Sequence, residues 1–176
     1  YPKEDHETWK YLYERQMKFL PGRACSEYME GTNVLKLSPD KIPFLRDLSH
    51  VFEKTTGWKI ARVPGLIQSQ NFFEMLRRKV FPSTDYIRGK EELDYTPAPD
   101  LFHDIFGHMP LLTNKAFASF YQKFGEAALN AKDNNSIKLE TFHWFTVEFG
   151  LIKKIERSDS TNIQSSIFNF IAEVIS

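Results

Sequence analysis

The sequence predicts a mainly α fold with minor β, organised as a single domain, on three observations. Apolar residues recur three and four apart through most of the 176 residues, the spacing of a helix face. Only one short stretch, Trp58-Lys59-Ile60-Ala61-Arg62-Val63, alternates as a half-buried strand does. The hydrophobic content of 41%, with 15% aromatic residues and 16 phenylalanines, suffices for one packed core at this length.

Taken in order, Asp5 is placed to cap a first helix that displays Trp9, Leu12, Tyr13 and Met17 on one face, before Pro21-Gly22 breaks the chain. A second helix carries Cys25, Tyr28 and Met29 and stops near Gly31. The third has clearer punctuation. Ser38 is the N-cap, Pro39 takes the first helical position, Gly57 terminates, and Phe44, Leu45, Leu48, Val51 and Phe52 form the apolar stripe. The strand over 58–63 ends at Pro64-Gly65 and a short helix follows around Phe72 to Leu76. Extended or irregular chain then runs from Pro82 to Pro99. Asp100 opens another helix, and a longer one shows Phe117, Phe120, Tyr121, Phe124 and Ala128 at helical spacing. A last helix, from about Ile137 to Lys154, is apolar nearly all round and therefore expected to be buried. There is no internal repeat and no low-complexity tract.

Lys plus Arg and Asp plus Glu both number 23, and no basic stripe interrupts that balance, which argues against a nucleic-acid partner. Cys25 is the single cysteine, so no intramolecular disulfide can form, as suits a reducing compartment. The first residues, Tyr1-Pro2-Lys3-Glu4-Asp5-His6, lack the apolar core of a signal peptide. No stretch approaches the roughly 20 apolar residues of a membrane span. A cytoplasmic protein with no membrane partner is the expectation.

Chemistry concentrates in Thr96-Pro97-Ala98-Pro99-Asp100-Leu101-Phe102-His103-Asp104-Ile105-Phe106-Gly107-His108-Met109-Pro110. Two histidines and two aspartates among apolar neighbours suggest a metal site, because imidazole suits Zn, Cu, Fe and Ni. The alternative is one surface histidine and one hydrogen-bonded core histidine. Five residues apart, His103 and His108 lie roughly 140° apart on an ideal helix, so convergence requires a π-type distortion or a helix end near Gly107. Glu148 sits in Phe142-His143-Trp144-Phe145-Thr146-Val147-Glu148-Phe149-Gly150, a segment with little polar surface. A carboxylate buried there must be neutral, paired or metal-bound. With both histidines it would complete a two-His, one-carboxylate set that leaves coordination positions open, while a structural salt bridge is the plainer reading.

The neighbouring polar residues also have two readings each. Asp100 either caps its helix or orients a ligand imidazole. Asp104 either anchors water or substrate or is solvated. Arg88, in Asp85-Tyr86-Ile87-Arg88-Gly89, either clamps a carboxylate bidentately or lies at the surface. His143 is either a fourth imidazole or a satisfied core histidine. His6 and His50 carry no signal.

These motifs resemble those of the pterin-dependent aromatic amino acid hydroxylases. The resemblance rests on Pro99-Asp100-Leu101-Phe102-His103-Asp104-Ile105-Phe106-Gly107-His108-Met109-Pro110 and Trp144-Phe145-Thr146-Val147-Glu148-Phe149-Gly150. It extends to Leu20-Pro21-Gly22-Arg23-Ala24-Cys25, Thr56-Gly57-Trp58-Lys59-Ile60, Val63-Pro64-Gly65-Leu66-Ile67 and Tyr86-Ile87-Arg88. It covers residues 1–154 and is nearest the short bacterial phenylalanine 4-hydroxylases of that family. It implies the hydroxylase catalytic fold over 1–154, without its usual C-terminal part, and a tail of unassigned role over 155–176.

The resemblance further implies Fe(II) held by His103, His108 and Glu148, and tetrahydrobiopterin or a related tetrahydropterin as cosubstrate. The small-molecule partners would be L-phenylalanine, O2 and the pterin, and the product L-tyrosine. Arg88 and Thr96 would hold the amino acid's carboxylate, with Pro99, Trp144 and Phe149 walling its ring. Gly65, Leu66, Ile67 and Phe72 would serve the pterin, with Asp104 near it through water. Trp144 matches the phenylalanine and tyrosine hydroxylases, and Pro82 the bacterial phenylalanine enzymes. The regulatory domain and tetramerisation helix of the animal members have no counterpart here, so a monomer is expected.

Three departures stand out. Ala98 replaces an acidic residue common between the two prolines, and His143 stands where a tyrosine is common. After Lys154 the family's Gly-rich, Ser-bearing stretch has no match; Ile163–Ser176 reads instead as a short apolar helix. Two rival readings follow. One is a non-catalytic metal- or pterin-binding remnant of the family. The other is a zinc hydrolase, against which the five-residue histidine spacing counts.

Overall fold

The computed structural model describes residues 1–132 and 134–148. Seven α-helices and two short strands are defined among them. In chain order they are α1 (Lys3–Met17), α2 (Ser26–Val34), α3 (Leu45–Thr55), β1 (Lys59–Arg62), α4 (Ser69–Arg77), β2 (Val80–Ser83), α5 (Met109–Leu112), α6 (Lys115–Asn130) and α7 (Asn134–His143). Two π-helical segments, His103–His108 and Trp144–Glu148, lead into α5 and out of α7. The mainly α, minor β expectation holds. The expected tail over 155–176, with its apolar helix, lies outside the described residues.

Several boundaries differ from the sequence reading for local reasons. Helix α1 starts at Lys3 after Pro2, and Asp5 lies in its first turn, where a negative charge meets the positive helix end, instead of capping it. Gly31 does not stop α2. A Cβ there would overlap the backbone of Pro110, so the glycine lets α2 and α5 approach closely. Helix α3 begins at Leu45 and not at Ser38, because Pro43 disfavours helical geometry at the residue before it and supplies no N–H. The Ser38 carbonyl instead accepts the Trp9 indole N–H at 2.8 Å. The far end of α3 is as expected: Gly57, at φ +75°, returns its N–H to the Phe52 carbonyl.

Strand β2 reaches into the stretch from Pro82 that the sequence marks as extended or irregular, and it is extended there. It pairs in parallel with β1, Lys59 opposite Val80 and Arg62 opposite Ser83, with α4 crossing between them. Four residues containing a proline carry too weak an alternation to be seen. Helix α4 rests on α6 across Gly125, where a Cβ would meet the Phe73 carbonyl and the Arg77 N–H. Asn114 caps α6 by accepting from the Ala116 and Phe117 N–H groups at 2.9 and 3.0 Å.

The core gathers Trp9, Leu12, Phe52, Trp58, Leu76, Leu101, Ile105, Met109, Leu112, Tyr121 and Phe124 around the chain that carries the histidines. That chain is gripped by aromatic side chains from α1. Trp9 meets Phe102 edge-on at 5.3 Å, Tyr13 meets Phe106 at 5.4 Å, and Phe102 stacks on Phe106 at 4.8 Å. The last helix is not buried all round. Leu139 and His143 face inward, while Ile137, Trp144 and Phe145 are exposed.

Candidate metal centre

Pro99-Asp100 starts the helix that delivers both histidines. Proline and the N-cap aspartate act together, the Asp100 carboxylate accepting the His103 N–H at 3.0 Å. From His103 to His108 the backbone is π-helical. Bonding from i to i+5 places residues five apart one turn above each other, which removes the 140° divergence of an α-helix. The carbonyl of Phe106, within this turn, accepts the buried Tyr28 hydroxyl at 2.5 Å. Burial raises the Tyr28 pKa, so the donor proton is retained.

Glu148 arrives from the second π-helical segment. His103 Nε2 and His108 Nε2 lie 3.2 Å apart, and each is 3.3 Å from Glu148 Oε2. Donors on opposite sides of an ion about 2.1 Å from each would be ~4.2 Å apart. All three edges are shorter, so the donors are mutually adjacent and one face of an ion between them stays free. Among the described residues these three form the compact donor set for a cation. Glu148 is mostly covered, its side chain 17% exposed, and His103 is the open side at 34%.

Charge in the set is strongly coupled. Burial opposes ionisation of Glu148, but hydrogen bonds from His103 and His108 outweigh it and hold the carboxyl well below the usual range. Burial also opposes protonation of His103, yet its bonds to Asp104 and Glu148 push its pKa up to about 9. A proton is thus held where two imidazoles and a carboxylate converge, the place a cation would take.

Asp104, expected near the pterin, is turned inward. Its Oδ1 lies 3.0 Å from His103 Nδ1, and its Oδ2 accepts the Thr84 N–H at 2.8 Å and the Thr84 hydroxyl at 3.2 Å. It therefore fixes the His103 proton on Nδ1 and leaves Nε2 free to face the other two donors, so Asp104, and not Asp100, orients this imidazole. Asp100 caps the helix and is fully buried. It accepts Arg88 Nε at 2.9 Å, Arg88 Nη2 at 2.8 Å and the Arg88 backbone N–H at 2.9 Å. Arg88 is thus locked beside the site, and these side-chain bonds use two of the guanidinium's five N–H donors.

Of the other candidates, Thr96 bonds the Ala98 carbonyl at 3.1 Å, and Pro99 receives the Tyr86 hydroxyl at 2.9 Å. Gly65, Leu66 and Ile67 lie in the loop between β1 and α4, with Leu66 81% exposed. Trp144 is 49% exposed, and Phe149 lies outside the described residues. Phe72 is half-buried and meets His143 edge-on at 5.3 Å. His143 itself is buried and bonded through Nε2 to the Tyr121 hydroxyl at 2.8 Å. It matches the core-histidine reading, although its Nδ1 is only 3.9 Å from Glu148 Oε1. Tyr28, Thr84 and Tyr121 were not anticipated. The one available signal was Tyr121, a hydroxyl inside an apolar stripe, which must find a partner when buried.

The chain belongs to the biopterin-dependent aromatic amino acid hydroxylases, whose family pattern matches residues 1–173. Among its relatives is the phenylalanine-4-hydroxylase of Pseudomonas aeruginosa, 46% identical over 153 residues that cover 87% of this chain and 58% of that protein. The Chromobacterium violaceum enzyme is 47% identical, over 86% of this chain and 52% of its own. A crystal structure of the latter with bound iron(III) and 7,8-dihydrobiopterin superposes with a TM-score of 0.83 at 46% identity, covering 88% of this chain and 57% of that one. The chain spans about half the length of the curated relatives it matches.

Proposed function

We propose that this chain is an Fe(II)- and tetrahydropterin-dependent monooxygenase that converts L-phenylalanine and O2 to L-tyrosine, with residues 1–154 as the catalytic unit. The observation that carries the reading is the 3.2–3.3 Å triangle of His103 Nε2, His108 Nε2 and Glu148 Oε2 in a member of this family. Two neutral imidazoles and one carboxylate suit Fe(II) and leave positions for oxygen chemistry. The π-helical turn removes the spacing objection to zinc, so it is family membership that favours iron. When bound, iron and pterin supply the electrons that activate O2.

The chain's own residues hold and orient. His103, His108 and Glu148 hold the metal, and Asp104 keeps the His103 proton away from the donor atom. Arg88, immobilised by Asp100, offers its remaining N–H groups to the amino acid's carboxylate, with Thr96 nearby in sequence. Pro99, Trp144 and Phe149 flank the substrate ring, and Gly65, Leu66, Ile67 and Phe72 serve the pterin. No described helix is long and apolar enough to cross a membrane. A cytoplasmic location and a monomeric state complete the proposal.

Exposure of Leu66 and Trp144 favours a second reading, a family member that binds metal or pterin without turnover. Anaerobic loading with Fe(II), followed by O2, pterin and phenylalanine, separates the two. Tyrosine formation abolished by Glu148→Gln supports the hydroxylase. Bound iron without tyrosine at saturating pterin overturns it.

A further inference from the structure

His143 is the one buried imidazole outside the donor triangle, and its surroundings fix it more firmly than packing requires. Its ring lies nearly parallel to Tyr121, with centroids 5.7 Å apart, and packs against Phe124 at 5.7 Å and edge-on to Phe72 at 5.3 Å. Tyr121 in turn stacks on the buried Trp58 at 6.0 Å. The Tyr121 hydroxyl is enclosed and has His143 Nε2, 2.8 Å away, as its hydrogen-bond partner, so its proton is directed to that nitrogen. A neutral imidazole accepting at Nε2 carries its proton on Nδ1. That Nδ1–H faces Glu148 Oε1.

The two oxygens of Glu148 therefore have different neighbours: Oε2 faces both triangle imidazoles, and Oε1 faces His143. We infer that His143 is a positioning residue, whose Nδ1–H engages Glu148 Oε1 and keeps Oε2 as the single oxygen presented to the metal. The 3.9 Å separation exceeds a hydrogen bond by about 1 Å, so engagement requires the Glu148 carboxylate to turn toward the ring as the metal binds. Engaging Oε1 disfavours chelation by both oxygens and preserves an open coordination position. His143 does not itself join the donor set. The inference rests on the metal-site reading above.

The test uses the full chain with Co(II) alone, reading dissociation constant and visible d–d bands. His143→Phe keeps a ring and removes both nitrogens. It is expected to weaken Co(II) binding by roughly 10–100-fold, the usual effect of losing a partner of a ligand, and to shift the bands. His143→Asn places an amide N–H where Nδ1 stood and is expected to restore affinity and bands. Unchanged affinity and bands in folded His143→Phe overturn the inference, as does failure of His143→Asn to restore them. Should His143→Phe not fold, Tyr121→Phe removes only the hydroxyl that sets the tautomer. Weaker Co(II) binding in that variant supports the inference, and unchanged binding overturns it. Glu148→Gln separates the two levels. If it abolishes Co(II) binding while His143→Phe leaves affinity and bands unchanged, only the positioning role falls; if it retains Co(II), the ligand set falls.

Discussion

Replacing Asp104 by Asn keeps an oxygen acceptor for the Thr84 N–H but removes the charge that holds His103. In the native arrangement the carboxylate accepts three bonds, from Thr84 N, Thr84 Oγ1 and His103 Nδ1. An amide that keeps its oxygen on Thr84 turns its NH2 toward His103 Nδ1. The imidazole must then accept there and carry its proton on Nε2, the atom that should bind metal. Expelling that proton and losing the charge-assisted bond should weaken Fe(II) or Co(II) binding by about 10–100-fold, or ~1.4–2.7 kcal/mol. Thermal stability of the chelated protein should fall less, because the Thr84 N–H keeps its acceptor. The assay is competition against a chelator of known affinity, with melting measured in parallel. Thr84→Val is the control: it deletes only the 3.2 Å hydroxyl contact and should reduce stability by about 1 kcal/mol, with metal affinity unchanged. A folded Asp104→Asn protein that binds metal as tightly as the wild type would refute the orienting role.

Three more outcomes follow from the same geometry. Tyr28→Phe removes the buried hydroxyl bonded to the Phe106 carbonyl in the π turn and should lower stability by about 1–3 kcal/mol in urea unfolding, with weakened metal binding; unchanged values would mean the turn holds itself. Arg88→Ala leaves the fully buried Asp100 carboxylate without its cation and should destabilise by about 3–5 kcal/mol, and Arg88→Lys should not restore it, because an ammonium cannot reproduce the paired bonds. In the metal-free protein, burial pushes His143 down to about 4, so the unfolded chain binds the extra proton first and stability falls as pH drops from the ordinary histidine value of ~6.5. The depressed Glu148 adds to that loss below its own ordinary value. His103, raised to about 9, acts oppositely: its contribution is complete below ~6.5 and lost as pH rises through about 9. Chelated protein should melt highest near pH 6.5, and added metal should abolish the alkaline decline, since a ligated His103 carries no proton there.

The helices were legible wherever an apolar stripe ran uninterrupted, as in α1 and α6, because a 3.6-residue period survives in sequence. They were misplaced where one residue overrode the pattern. Pro43 delays α3, and Gly31 permits a helix contact instead of ending α2. Strand β2 reads in sequence only as extended or irregular chain, because its pairing with β1 is not written in its own four residues. The last helix looked buried on composition, whereas Ile137, Trp144 and Phe145 are exposed.

At the site, residue types and spacing made His103, His108 and Glu148 candidates beside plainer readings, the family resemblance singled them out, and the awkward five-residue interval already required the distortion that the structure supplies. What residue types could not divide was the work of the two aspartates. Asp100 and Asp104 are the same chemistry four residues apart, yet one caps the helix and locks Arg88 while the other orients His103 from Thr84. That choice depends on which groups 12 to 20 residues upstream fold back to meet each carboxylate. The same holds for His143, whose tautomer is set by Tyr121, 22 residues away. Sequence determined the candidate donors, since ligating atoms are intrinsic to residue type; tertiary structure decided which nitrogens and which oxygen converge, because that depends on hydrogen bonds between distant segments.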